Sequence, residues 1–326
     1  MSSFISLFTS AIAFGTIIMF GALGEILTEK GGHLNLGVPG IMYIGAICGL
    51  ISSFFYERGG GTSPFVGMLL SLIACFVGSA IGGLIYAFLT ITLRANQNVT
   101  GLSLTIFGGG VANFFGASVS TLSGGVGQVS VAQTSSAYCA KIPFLSGLGT
   151  FGKLFFSYGF MVYLAIILAI LMARFLNKTR TGLNLRAVGE SPATADAAGI
   201  NVTKYKYLAT CVGAGISGLG GVFYVMEYTL GTWANGKIIE GLGWLAVALV
   251  IFASWKPVNA IWGSYLFGFV YWAYLYIPGL GRSTQELFKM LPYVITLVVL
   301  IVVSLRKKRE NQPPASLGLS YFREER

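Results

Sequence analysis

Few side chains in this 326-residue sequence stand where they could do chemistry. His33 is the only histidine, which excludes a multi-histidine metal site. Cys48, Cys75, Cys139 and Cys211 are scattered with no CxxC pair, so neither a disulfide framework nor a zinc site is indicated. Gly147 to Lys153, GLGTFGK, matches GxxxxGK, but the next residue is Leu154, where a phosphate loop needs a Ser or Thr hydroxyl for magnesium. Gly213, Gly215 and Gly218 fit GxGxxG, yet they sit inside an apolar run rather than after a strand. Glycines in that setting allow close helix packing. A membrane acyl- or glycosyl-transferase needs His, Asp or Glu clustered at one interface. The eleven acids here cluster only in the C-terminal tail. The chain is therefore read as carrying no catalytic residues, no metal and no ATPase of its own.

The elements that hold these residues are apolar. The chain is 55% hydrophobic and 10% charged, against roughly 25% charged in soluble domains. Its 45 glycines suit closely packed membrane helices. Apolar stretches near 5–27, 36–55, 64–93, 98–117, 157–175, 206–228, 242–254, 258–278 and 288–305 predict about nine spanning helices, with 242–254 short enough to be broken or re-entrant. The fold expected is an all-α polytopic bundle, one permease-sized domain over 1–326. The net charge of +10 fits loops that favour the cytoplasmic side rather than nucleic acid. If the loop 174–206, which holds the polar interval 178–206, is cytoplasmic, alternation puts the turns near 28–35, 94–97 and 255–257 and the tail 306–326 there too. That arrangement places most Lys and Arg inside, with the C-terminus inside.

Lys178 to Lys206, KTRTGLNLRAVGESPATADAAGINVTKYK, is the long polar interval with concentrated positive charge. Ser191 can cap a short helix, Pro192 fits its first position, and Gly199 stands where it stops. A helix of about two turns is too short to persist in water by itself. It is read as a docking element held by a neighbour, and the alternative is a plain surface loop.

Charges deep in the bilayer mark ion-coupled transporters. Glu25 and Glu227 lie toward the ends of their runs and read as interfacial. That leaves a passive pore or a transporter driven by another subunit, with a stand-alone secondary transporter disfavoured. Gly31 to Gly40, GGHLNLGVPG, predicts a broken entry into the second helix with free backbone amides near the pore, or a simple tight turn. In Arg94 to Thr100, RANQNVT, the amides of Asn96, Gln97 and Asn98 can cap a helix or meet a polar substrate. Asn35, Asn96, Asn98, Phe107, Asn113, Phe114 and Trp244 are the candidates for a substrate path. The outer loop at 118–156, rich in Gly, Ser and Thr, is expected to pack as a cap or to serve as a plain connector.

GEILTEKGGHLNLGVPGIM, RANQNVTGLSLTIFG, LRAVGESPATADAAGINVTKYKYLA and LVIFASWKPVNAIWG stand in an order that resembles the permease subunits of ABC importers for nucleosides and simple sugars. The ending PASLGLSYFREER is similar to the tail of the shorter of two partner permeases. The resemblance implies a coupling helix over Ser191 to Ile200 that sits in a cleft of a cytoplasmic ATPase. Arg186, Gly189, Glu190, Ser191, Pro192, Ala193, Asp196, Ala197, Gly199 and Ile200 are then the coupling residues. It implies a second permease, cytoplasmic ATP-binding subunits that carry ATP and magnesium, an external binding lipoprotein, and a bacterial cytoplasmic membrane. The substrate class implied is a nucleoside, with a simple sugar or flavin-like vitamin as the alternative. Pro39 stands where the family often has an acid, which withdraws any substrate contact carried by that acid.

Overall fold

A computed structural model describes residues 2–122, 129–141, 149–233, 238–277, 279, 281–306 and 311–322. Thirteen α-helices follow in order. They are α1 (Ser2–Lys30), α2 (Val38–Arg58), α3 (Pro64–Ala87), α4 (Gln97–Leu122), α5 (Ala132–Tyr138), α6 (Gly149–Phe155), α7 (Phe160–Lys178), α8 (Arg180–Glu190), α9 (Pro192–Ala197), α10 (Val202–Phe223), α11 (Ile238–Phe252), α12 (Pro257–Ala273) and α13 (Arg282–Arg306). π-helical turns, Phe88–Thr92 and Tyr224–Tyr228, extend α3 and α10. The described residues contain no strand beyond one isolated bridge, Ser130 to Thr232.

Among the described residues seven helices, against about nine expected, are long and apolar enough to cross a membrane: Phe4–Lys30, Val38–Arg58, Pro64–Thr92, Gln97–Leu122, Phe160–Lys178, Val202–Tyr228 and Ser283–Val302. The two that fall short are α11, with 15 residues, and α12, with 17. At 1.5 Å per residue α11 reaches about 22 Å, less than the roughly 30 Å hydrocarbon layer. Gly243 lies against Pro39, and Ala246 against Gly21, so α11 packs beside α1 and the start of α2.

The centre is α1, α2 and α10, and glycine lets their backbones meet. A Cβ on Gly24 would stand 2.1 Å from the Gly213 carbonyl, and one on Gly221 would stand 1.9 Å from that of Met42. Gly218, from the GxGxxG match, faces Ser79 and Gly45 instead of a phosphate. Hydrophobic attraction is weak between helices in lipid, so such close contacts carry the packing. Gly149 to Lys153 of the other nucleotide-site match lie in α6, while Gly147 and Leu148 are outside the described residues.

The described parts of the 118–156 loop pack onto the bundle. Thr134 N donates to Glu57 (2.7 Å), and Ser135 Oγ donates to the Met226 carbonyl (2.7 Å). At the opposite end five segments converge. Trp255 donates to Glu29, Gly189 touches Lys30, Gln97 bonds to Leu34, Arg94 stacks on Phe322, and Lys256 bonds to Asn311. These are the turns and tail that charge alternation groups together. Lys237, 307–310 and 323–326, which belong to that charge pattern, lie outside the described residues.

Candidate functional site

The site is assembled where α8, α9, the start of α10 and residues 311–322 meet the end of α1. Thr179 caps α8 by accepting from Gly182 N at 3.0 Å. Sequence reasoning missed this helix; its signals were that cap and the apolar positions Leu183, Leu185 and Val188. Then α9 follows the capping chemistry of its residues. Ser191 is extended (φ −151°, ψ 91°) and accepts from Thr194 N, Pro192 begins the helix, and Gly199 leaves it at φ +81°. The lone-helix problem is solved by Ala195, which is buried on Val188 and Val202. On the opposite side Ala193, Thr194, Ala197, Ala198 and Gly199 are exposed, so the helix presents a face of small side chains.

Two contacts tie this unit to the bundle. Gly189 is buried against α1, where a Cβ would stand 2.2 Å from the Lys30 carbonyl. The tail straps the other side. Ser316 N and Oγ both donate to the Gly189 carbonyl (3.1 and 2.5 Å), and Tyr321 Oη donates to Asp196 Oδ2 at 2.9 Å. Arg186 is exposed and donates to Asn177 Oδ1 at 3.0 Å, and Glu190 is exposed on the same helix. Ile200 packs partly buried beside Ala195. Nothing in the sequence pattern signals the strap, because 311–322 forms no long regular element.

The turn before α2 is broken, as the glycines imply, but its amides are not free. Leu34 N donates to Gln97 Oε1 (2.8 Å), Asn35 N to Glu25 Oε1 (2.9 Å), and Gly37 N to Asn35 Oδ1 (2.9 Å). Buried backbone must find partners, and here side chains supply them. Glu25 is 1% exposed and Glu29 3%, so the interfacial reading of Glu25 is corrected: it anchors a turn inside the protein. Glu227 is likewise half-buried and accepts from Gly159 N at 3.1 Å. No group of three or more His, Cys, Asp or Glu among the described residues could hold a metal.

His33, in the same turn, is 2% exposed, and neither ring nitrogen has a partner among the described residues. Burial and the nearby Lys206 charge lower its pKa to about 3. The unfolded chain, with an ordinary histidine near 6.5, takes up the proton first as pH falls. The stability this neutral histidine contributes is therefore complete above about pH 6.5 and declines toward pH 3, by up to about 1.4 kcal/mol per unit. Arg94, Lys204, Lys206 and Asp196 are the charged residues that line the same space among the described residues. Thermal unfolding of the detergent-solubilised protein is expected to show Tm falling from pH 6.5 to 4.5, with a shallower fall in His33→Gln. Equal slopes in the two proteins would exclude His33 as the source.

The substrate-path candidates do not form one cluster within this chain. Asn35 and Asn96 close turns; the latter accepts from Val99 N at 3.1 Å. Asn98, Phe107, Asn113 and Phe114 all lie on the exposed face of α4, with Phe107 53% and Phe114 67% exposed. Trp244 is half-buried on α11.

The sequence pattern of branched-chain amino acid transport system permease components matches residues 7–300. The chain belongs to that family. Among its relatives is the guanosine ABC transporter permease protein NupQ of Bacillus subtilis, 33% identical over 301 residues and 89% of each chain. Another is the nucleoside ABC transporter permease protein NupC of Lactococcus lactis subsp. cremoris, 32% identical over 296 residues and again 89% of each. A third, TsgC13 of Haloferax volcanii, is 34% identical over 271 residues, 82% of this chain and 76% of its own; its name assigns glucose provisionally. All three are named as permease proteins of ABC transporters, and none as an enzyme. The family expected from the motifs is thus the family found, and a permease of this family is a multi-pass membrane protein.

Proposed function

We propose that this chain is one of two permease subunits of an ATP-driven importer for nucleosides. The observation that carries the reading is α9: a two-turn helix, capped by Ser191, stopped by Gly199, strapped from behind and presenting only small side chains outward. That shape suits insertion into a cleft of an ATP-binding subunit, which supplies ATP and magnesium. Closure of the ATPases would reach the spanning helices through Gly189 on α1 and Ser316 on the tail. The end that carries α9 and the tail is then cytoplasmic, in a bacterial cytoplasmic membrane. An external binding lipoprotein delivers the solute to the other end.

The translocation path in this reading lies between α4 and the second permease. The exposed face of α3 is lined by Leu69, Ile73, Val77, Ile81 and Leu84, as lipid requires. The exposed face of α4 instead mixes Asn98, Ser103 and Asn113 with Phe107 and Phe114. Polar groups at membrane depth face a partner or an aqueous path rather than lipid, and aromatic rings offer stacking to a flat base. NupQ and NupC favour a nucleoside such as guanosine, whereas TsgC13 supports the alternative of a simple sugar.

Uptake tests the choice. Proteoliposomes holding the full transporter and its receptor are expected to accumulate labelled guanosine only with ATP inside, and excess glucose should not compete. Accumulation of glucose instead would move the substrate to sugars. Accumulation by this chain alone would remove the subunit reading altogether.

A further inference from the structure

Between α9, the start of α10, the π-turn after α3 and the strap lies a cavity of about 860 Å³, a volume typical of small-molecule sites. The proposed transport cycle assigns it no ligand, although Asp196, Gly199 and Ile200 of the coupling unit line it. Its wall carries an unusual set of charges. Lys206 is 2% exposed, and its amine forms no ion pair among the described residues. Enclosing an ammonium without a counter-charge is costly. Lys204 and Arg94 add two more positive charges from the rim. Asp196 is the one acid in the wall among the described residues, and its Oδ2 already accepts from Tyr321. The amino end of α10, a 22-residue helix, opens into the same space through Asn201 to Lys204, and helix amino ends favour anions. Buried His33, with both ring nitrogens unpartnered, lines the same wall.

We propose that this cavity binds a phosphate group, held by Lys206, Lys204 and Arg94. Two molecules could bring that group. A soluble phosphate ester can enter from the loop end. An anionic phospholipid can enter from the side, because Leu208 is shared between the cavity and a second, apolar groove of about 400 Å³ along α7 and α10 that suits an acyl chain. In either case the ligand joins α10 to Tyr321 of the strap and so stiffens the seat of α9.

The experiment uses the assembled transporter in nanodiscs, with thermal unfolding as the readout. In the first arm the lipid is phosphatidylcholine, and inorganic phosphate is titrated against chloride at constant ionic strength. In the second, phosphatidylglycerol is introduced stepwise and phosphate is omitted. The wild type is expected to show a saturable rise in Tm in the first arm if the group arrives on a soluble ester, and in the second if it arrives on a lipid. Lys206→Gln should weaken the apparent affinity by about tenfold or more, since a charge-assisted hydrogen bond to the anion is lost. Lys204→Glu, at an exposed position, should do the same should the first variant fail to fold. The proposal is overturned by the absence of a saturable rise in both arms, or by a rise that the folded variants retain. Neither result bears on which solute is imported.

Discussion

Ala197→Arg is expected to abolish ATP-driven uptake while leaving the protein folded. Ala197 is exposed, on the face of α9 turned away from Ala195 and the bundle. Substitutions at exposed positions of this kind usually shift stability by no more than about 0.5 kcal/mol. Docking is another matter. A face of Ala193, Thr194 and Ala197 allows a partner to approach closely, and an arginine there adds a long, hydrated side chain to a contact built for methyl groups. A loss of about 2 kcal/mol or more of docking energy, the size of an interface hot spot, lowers occupancy roughly thirtyfold. Three measurements separate this from misfolding: Tm of the purified chain, co-purification with the ATP-binding subunit, and uptake. Unchanged Tm with loss of the other two is the expected set. Full uptake would show that α9 is not where force enters.

The parts of this site that were legible in the sequence are those governed by neighbours in the chain. Ser191, Pro192 and Gly199 each act within one or two turns, so their residue types alone set where α9 begins and ends. The break before α2 was legible for the same reason, from Gly31, Gly32, Gly37 and Pro39. What was not legible depends on distant partners. Free amides or a simple tight turn were the expectations at 31–40, and Gln97, 63 residues from Leu34, satisfies one of the amides. Glu25 was read as a charge at the interface because its position along the helix is near an end; only the fold shows that Asn35 N reaches it. The tail carries no periodicity, yet Ser316 and Tyr321 reach back 127 and 125 residues to Gly189 and Asp196. Length is harder to read: apolar runs at 242–254, short enough to be broken or re-entrant, and 258–278 count among about nine expected spans, and the folded chain makes a 15-residue and a 17-residue helix there. A run of apolar residues records burial, and burial against Pro39 and Gly21 satisfies it as well as lipid does.

Gly189→Val should separate the seat of the coupling unit from its face. The residue is buried, and three chain segments meet at it: the end of α8, the Lys30 carbonyl of α1, and Ser316 of the strap. A Cβ there would stand 2.2 Å from a backbone oxygen, which cannot rotate away as a flexible side chain could. Either α8 withdraws from α1 or the turn at Gly31 and Gly32 deforms. Overpacking of this kind costs about 1–3 kcal/mol. If the unit withdraws, the α9 face survives but its link to α1 does not. The expected result is therefore distinct from that of Ala197→Arg: the ATP-binding subunit still co-purifies, Tm falls, receptor-stimulated ATP hydrolysis loses its dependence on solute, and uptake drops more than tenfold. Gly199→Val provides the contrast. Its site is open, with nothing within 4 Å of an added Cβ, so its penalty comes only from the left-handed backbone at φ +81°, about 1–2 kcal/mol for a residue other than glycine. Gly241→Ala, with open space and no positive φ, should behave as wild type. A Gly189→Val transporter that couples hydrolysis to uptake at the wild-type ratio would mean that closure of the ATPases reaches the spanning helices by a route other than α1.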